Sequence, residues 1–222
     1  MIRFDNHAFK GLDEALEQLY TMLTRMGDGT QQLIALLATA LDSANEQTFN
    51  AAKAIDKTIN DTELEIDSAV ATIINKFTVA GEDLRFVLAA VKLSSTLERA
   101  ADKVKNCTKR LSRMEQPIDP ALRGELTTAI AALAAMMPLS LGQILDYKPE
   151  ATQALLAQGA QVQQAYRRML LHLHTHQSTA DDETHLMLVA KNLEQTADMA
   201  VEIMKISHMI HFATKYEKRA NQ

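Results

Sequence analysis

The chain of 222 residues has no tryptophan, one cysteine, four prolines and seven glycines, and only 5% of it is aromatic. Glycine and proline are scarce and also widely spaced: residues 30–80, 82–116 and 160–222 contain neither. Runs that long without turn formers exclude a fold of many short strands. No glycine-rich phosphate loop, G-x-S-x-G elbow or H-E-x-x-H motif is present, so the nucleotide and hydrolase sites those motifs build are not expected. A single thiol, Cys107, excludes an internal disulfide framework and any cysteine-based zinc or iron–sulfur centre. No run approaches 18 consecutive apolar residues, and MIRFDNHAFKG lacks the apolar core of a signal peptide. A chain that does not span the membrane, in the cytoplasm, is therefore expected.

Charge of one sign is also missing. There are 28 acidic and 23 basic residues, a formal net charge of −5. The densest basic stretch is Arg99, Lys103, Lys105, Lys109 and Arg110, and it reads as a solvated helix face. Nucleic acid, which needs a concentrated basic surface, is not an expected partner.

What is present is helix. Apolar residues make up 47% of the chain, rich in Ala, Leu and Met. Leu12, Leu16, Leu19, Leu23 and Met26 recur at three and four, and the stripe resumes past Gly27 and Gly29 at Leu33, Leu37 and Leu41. The pattern predicts helices over 8–42, 46–78, 83–113, 120–145, 149–175 and 183–213. Asp119 and Pro120 suit an N-cap and first helical position, Pro138 predicts a kink, and QSTADD (177–182) reads as a loop.

Three long helices, a proline turn at 117–120 and three more suggest duplication. TLERAADKVKN (96–106) and NLEQTADMAVE (192–202) share L-E-x-x-A-D at an offset of 96 residues. The expected architecture is all-α, two tandem three-helix bundles related by a pseudo-two-fold repeat. The first covers 1–115 and the second 118–215, with a polar tail at 216–222.

Candidate chemistry lies on these helices. Glu98 and Asp102 are four apart and share a face, which Leu84, Leu88 and Val91 continue as an apolar line. Glu194 and Asp198 repeat the pair behind Met187. On helix two, Asp56, Asn60, Glu63 and Asp67 occupy one sector, continued by Val70 and Ile74. Carboxylates set in apolar stripes must be paired, hydrogen-bonded or metal-bound. Hard or borderline cations suit such oxygen ligands, and ion pairs with Lys105 or Lys109 suit them equally. His172, His174 and His176, with the pair His208 and His211, are compatible with a zinc or nickel site or a polar helix end. The Glu-x-x-His spacing of di-iron bundles is absent.

Taken together, RFDNHAFKGLDEALEQLYTMLTRMG, the AIDKTIN segment with Asp56 and Asn60, DLRFVLAAVKLSSTLERAADKVKN (83–106) and LMLVAKNLEQTADMAVEIMK (186–205) resemble the PhoU family of phosphate-signalling and phosphate-transport regulators. The resemblance spans essentially the whole chain. It implies two three-helix bundles in a cytoplasmic, often dimeric protein that catalyses no reaction. Its implied partners are a phosphate transporter and a sensor histidine kinase, met by peripheral association with membrane proteins. A sodium- or proton-coupled phosphate transporter is the alternative partner, and a metal-binding bundle without a signalling role the alternative function. It also implies multinuclear iron or zinc, with Asp56, Glu98 and Asp102 as ligands of the first site and Glu194 and Asp198 of the second; Asn60 and Glu63 join the candidate ligands of the first site on their helix-two spacing. The chain departs from that pattern at Gly159 and Gln163, where helix five should offer acid or amide ligands. It departs again at Gln195 and Glu202, which stand against Arg99 and Asn106 of the first repeat. Metal is therefore expected more strongly in the first repeat.

Overall fold

The computed structural model describes residues 10–173, 180–214 and 216. Among them are six α-helices: α1 (Lys10–Ser43), α2 (Glu46–Lys76), α3 (Gly81–Leu111), α4 (Pro120–Gly142), α5 (Pro149–Leu173) and α6 (Ala180–Phe212). Each expected helix is present, with ends moved by a few residues. The largest consequence is at α6, which starts at Ala180, so Asp182 belongs to its first turn rather than to a loop.

The helix ends follow from local chemistry. Asn45 caps α2, accepting from the Thr48 amide at 2.9 Å. Asp119 caps α4 through the amides of Ala121 and Leu122, at 2.8 and 3.3 Å, with Pro120 where no amide is needed. Gly81 opens α3 at φ +60, a conformation that side chains resist.

Gly27 and Gly29 do not interrupt α1. They are close-approach positions instead. A Cβ on Gly27 would lie 2.3 Å from Leu141 Cδ1, and one on Gly29 3.0 Å from Ile59 Cγ1. Pro138 sits on the exposed side of α4, which continues through it to Gly142. By length and composition alone α4 is apolar enough to cross a membrane. Here its Leu126, Leu133, Met136 and Met137 are buried in the common core.

The first three helices pack on one another, as do the last three, and the halves meet through α1 on α4 and α3 on α6. Each of those contacts sets a helix against its own counterpart in the repeat, as a two-fold axis requires. Helices α2 and α5 touch only members of their own half. The α3 side of the centre is Ala89, Ala90, Leu93, Leu97, Ala101 and Val104, all fully buried. Small residues there bring the helices together.

That alignment corrects one expectation. The line carrying Glu98 and Asp102 is not the core face. Leu88 is 53% exposed, Val91 39%, Ile74 47% and Met187 44%. Helix α3 turns its alanine-rich side inward and leaves the adjoining Leu88–Val91–Glu98 side outward.

Candidate functional site

Helix α2 returns against α3 so that Asp56 stands opposite Asp102 and Lys105. Asp56 is buried. Lys105 Nζ donates to Asp56 Oδ2 at 2.9 Å and to Asp102 Oδ1 at 2.7 Å, and Asn106 Nδ2 donates to the other oxygen of Asp102 at 2.9 Å. Burial alone would lower the pKa of Lys105. The hydrogen bonds to Asp102 and Asp56 reverse this and hold it above the ordinary 10.5, so the group is an ammonium. Asp56 Oδ1 is buried and accepts no hydrogen bond from the described residues. Lys105 thus leaves the basic strip in which the sequence places it, and so does Arg99, which pairs with Glu202 at 3.0 Å.

Glu98 lies beside this group. Burial raises its pKa, and the charges of Glu63, Asp102 and Asp56 raise it further, partly offset by Lys105. Glu63 is raised by burial and by Asp67. Glu63, Glu98, Asp102 and Asp56 are therefore one electrostatic neighbourhood, as their spacing indicates. Asn60 is exposed.

The second repeat is built differently. Glu194 accepts from Lys191 Nζ at 2.7 Å, and that lysine lies over the Tyr166 ring. Asp198 is exposed, and burial of part of the group, then Glu194, raises its pKa against the pull of Lys191 and Lys205. Gly159 and Gln163 line a cavity of about 320 Å³ together with Asp198 and Lys205. The missing acid of α5 is thus a space opposite Asp198. Glu202, which replaces the amide found at Asn106, is the partner of Arg99.

The described histidines do not converge on one site. His172 Nε2 lies 2.9 Å from the Asp119 cap. His208 and His211 gather around Tyr147, with ring centroids 5.2 and 6.2 Å away. His174 and His176 fall outside the described residues. Among the described residues, no three His, Cys, Asp or Glu side chains converge as ligands for an ion.

The resemblance implies metal at Asp56, Glu98 and Asp102, and the donor chemistry is of the right kind. The arrangement does not fit an iron or zinc cluster as it stands. An ion would need several oxygens at about 2.0–2.2 Å. One oxygen of Asp56 and one of Asp102 are already committed to Lys105, and the other oxygen of Asp102 to Asn106.

The same face carries a second feature. Val91 and Glu98 are seven residues apart, about 20° around the helix at about 100° per residue. The register that sets Asp56 against Lys105 brings Ile74 level with Leu88, since each lies some 25–27 Å further along its helix at about 1.5 Å per residue. Exposed Ile74, Leu88 and Val91 therefore lie on the same side of the α2–α3 pair as the carboxylates, with Val91 about 10 Å from Glu98, Leu88 about 15 Å from Glu98 and Ile74 about 16 Å from Glu63 along the helices.

Residues 23–111 match the PhoU domain family. A phosphate-specific transport system accessory protein PhoU homolog of Caulobacter vibrioides is 29% identical over 224 residues, covering 97% of this chain and 95% of its own. The protein of the same description from Zymomonas mobilis is 28% identical over 219 residues, covering 93% and 88%. Among solved structures, PhoU from Pseudomonas aeruginosa superposes with a TM-score of 0.82 at 19% identity, covering 91% of this chain and 99% of that one. The phosphate transport system regulatory protein PhoU from Streptococcus pneumoniae gives 0.82 at 18%, covering 93% and 100%. These two likenesses establish the fold.

Proposed function

Because the chain belongs to the PhoU family, we propose that it regulates phosphate transport and phosphate-starvation signalling from the cytoplasm. It acts without catalysis, by contact with a phosphate transporter, a sensor histidine kinase or both. The observation that carries this reading is the exposed apolar group Ile74, Leu88 and Val91, on the side of the α2–α3 pair that bears Glu63, Glu98 and Asp102 several turns further along. Large apolar side chains grouped on the surface of a well-buried helical protein mark an interaction site.

The relatives from Caulobacter and Zymomonas carry the description of accessory proteins of a phosphate-specific transport system, and the proposal extends that role to this chain. Binding to the purified ATP-hydrolysing subunit of such a transporter, and separately to the cytoplasmic portion of a sensor histidine kinase, is measured by biolayer interferometry. The double variant Leu88→Asp/Val91→Asp, altered only where the side chains are exposed, is expected to keep its helical signal and lose binding. Undiminished binding in that variant removes this face from the proposal; absence of binding to both partners removes the proposal.

A further inference from the structure

We propose that the ε-ammonium of Lys105 occupies the place of a metal ion in the first repeat, so that this carboxylate cluster is closed without iron or zinc. Two acids of the cluster come from different helices, and Lys105 is what joins them. Its Nζ reaches Asp56 on α2 at 2.9 Å and Asp102 on α3 at 2.7 Å. Bridging carboxylates from facing helices is what a multivalent cation does in a bundle. Here a tethered monovalent cation does it, on the chain itself.

The surroundings suit a permanent pair rather than a passing contact. The Lys105 and Asp56 side chains are only 17% and 10% exposed. A charge withdrawn from water this far is costly unless it is paired and hydrogen-bonded, and Lys105 is paired twice. A divalent ion at the same oxygens would stand within a few ångströms of the ammonium, and like charges so close repel strongly. The one buried oxygen that Lys105 does not reach, Asp56 Oδ1, is a single ligand and no chelate.

The device belongs to one repeat only. At the 96-residue offset that pairs Glu98 with Glu194 and Asp102 with Asp198, Lys105 pairs with Val201. The second repeat instead has Lys191 on Glu194, a turn earlier, where the first repeat has Ser95. The two sites therefore differ in how they are neutralised as well as in the acid missing at Gly159.

The inference is tested on the full chain, stripped of metal by chelation and then titrated with zinc and, under anaerobic conditions, with ferrous iron. Metal retained after desalting is measured by elemental analysis and binding by calorimetry, for the wild type and Lys105→Met. The variant is expected to bind zinc at least about tenfold more tightly than the wild type, and zinc is expected to raise its melting temperature. Competition with the wild type's own ammonium predicts weak uptake there and a melting temperature unmoved by chelator as purified. Tight stoichiometric uptake by the wild type at Asp56 and Asp102 would overturn the proposal, as would a fall in its melting temperature on chelation. A Lys105→Met protein that folds but binds metal no better than the wild type overturns it as well. Should that variant not fold, Lys105→Arg keeps a cation in place. It is expected to fold and stay metal-free, and zinc bound by it at wild-type oxygens counts against the proposal.

Discussion

Arg99 of α3 and Glu202 of α6 meet at 3.0 Å across the contact between the two halves, and they are two positions at which the repeats differ. Their counterparts at the 96-residue offset are Gln195 and Asn106. The charged pair therefore has no like counterpart, since Asn106 donates to Asp102 on its own helix instead. Both side chains of the pair are half exposed, which limits what it contributes. Arg99→Gln and Glu202→Gln are each expected to cost less than about 1 kcal/mol, with an effect that shrinks as salt is added. Chemical denaturation at low and high salt checks this, and a loss of several kcal/mol would show that the pair holds the halves together.

A stronger tie is expected at Asp182. It is buried at the start of α6, and its two oxygens accept from the amides of Glu115 and Gln116, each at 3.2 Å, just past the end of α3. Near the start of α3, Arg85 Nε donates to the Ile210 carbonyl near the end of α6 at 2.6 Å. Each central helix thus begins by holding the end of the other, one with an acceptor and one with a donor. Asp182→Ala leaves two amides without their acceptor and is expected to cost about 1–3 kcal/mol. Limited proteolysis is expected to show faster cleavage within 112–119, the segment those amides anchor.

Packing between α1 and α4 offers a coupled test. Gly27→Leu introduces bulk where Leu141 Cδ1 would already be 2.3 Å from a Cβ. Overpacking of this kind costs about 1–3 kcal/mol. Leu141→Ala removes the obstructing atoms, so the double variant is expected to be more stable than the sum of the single losses implies. Additive losses in urea denaturation would show that Gly27 is not a close-approach position.

The six helices, the Asp119 cap and the duplication were legible because each rests on local spacing: leucines at three and four, Asp119 before Pro120, L-E-x-x-A-D twice. The carboxylate neighbourhood was legible for the same reason, since Glu98 and Asp102 must share a face. Which way that face turns was not. Leu88 and Val91 look like core residues along α3. The contest was decided by the alanines beside them, which permit closer helix contact, and that is a property of the partner helices. Lys105 was one alternative among several for the same reason: a lysine three residues beyond an aspartate pairs or solvates depending on what α2 presents. Asp182 left no signal, because its ligands are backbone amides 66 and 67 residues away.

Cys107 is expected to be chemically silent in the folded protein. It is fully buried, its Sγ donates to the Val189 carbonyl at 3.7 Å, and burial pushes its pKa up to about 12. At about pH 8 only roughly one thiol in ten thousand would be ionised, and the thiolate is the reactive form. Reaction with a chromogenic disulfide reagent is expected only as fast as the protein unfolds, and at once in denaturant. Prompt stoichiometric reaction of the native chain would mean that the α3–α6 contact opens readily.

Glu98 gives the pH dependence its sign. Burial first, then Glu63, Asp102 and Asp56, raise its pKa above the ordinary 4.5, so the folded state holds its proton more tightly than the unfolded chain. Its favourable contribution is then fully present below about 4.5 and is lost as pH rises through the folded-state value. At neutral pH the ionised group is an unfavourable neighbour for the other acids. Glu98→Gln keeps the shape and removes the charge. The variant is expected to melt higher than the wild type at neutral pH, with the gap closing as the pH is lowered toward that range. Metal ligation predicts the opposite sign, because losing a ligand would lower the melting temperature of a metal-loaded protein. Melting curves of both proteins across pH 4–8, with and without chelator, therefore separate an acid crowded among acids from an acid holding an ion.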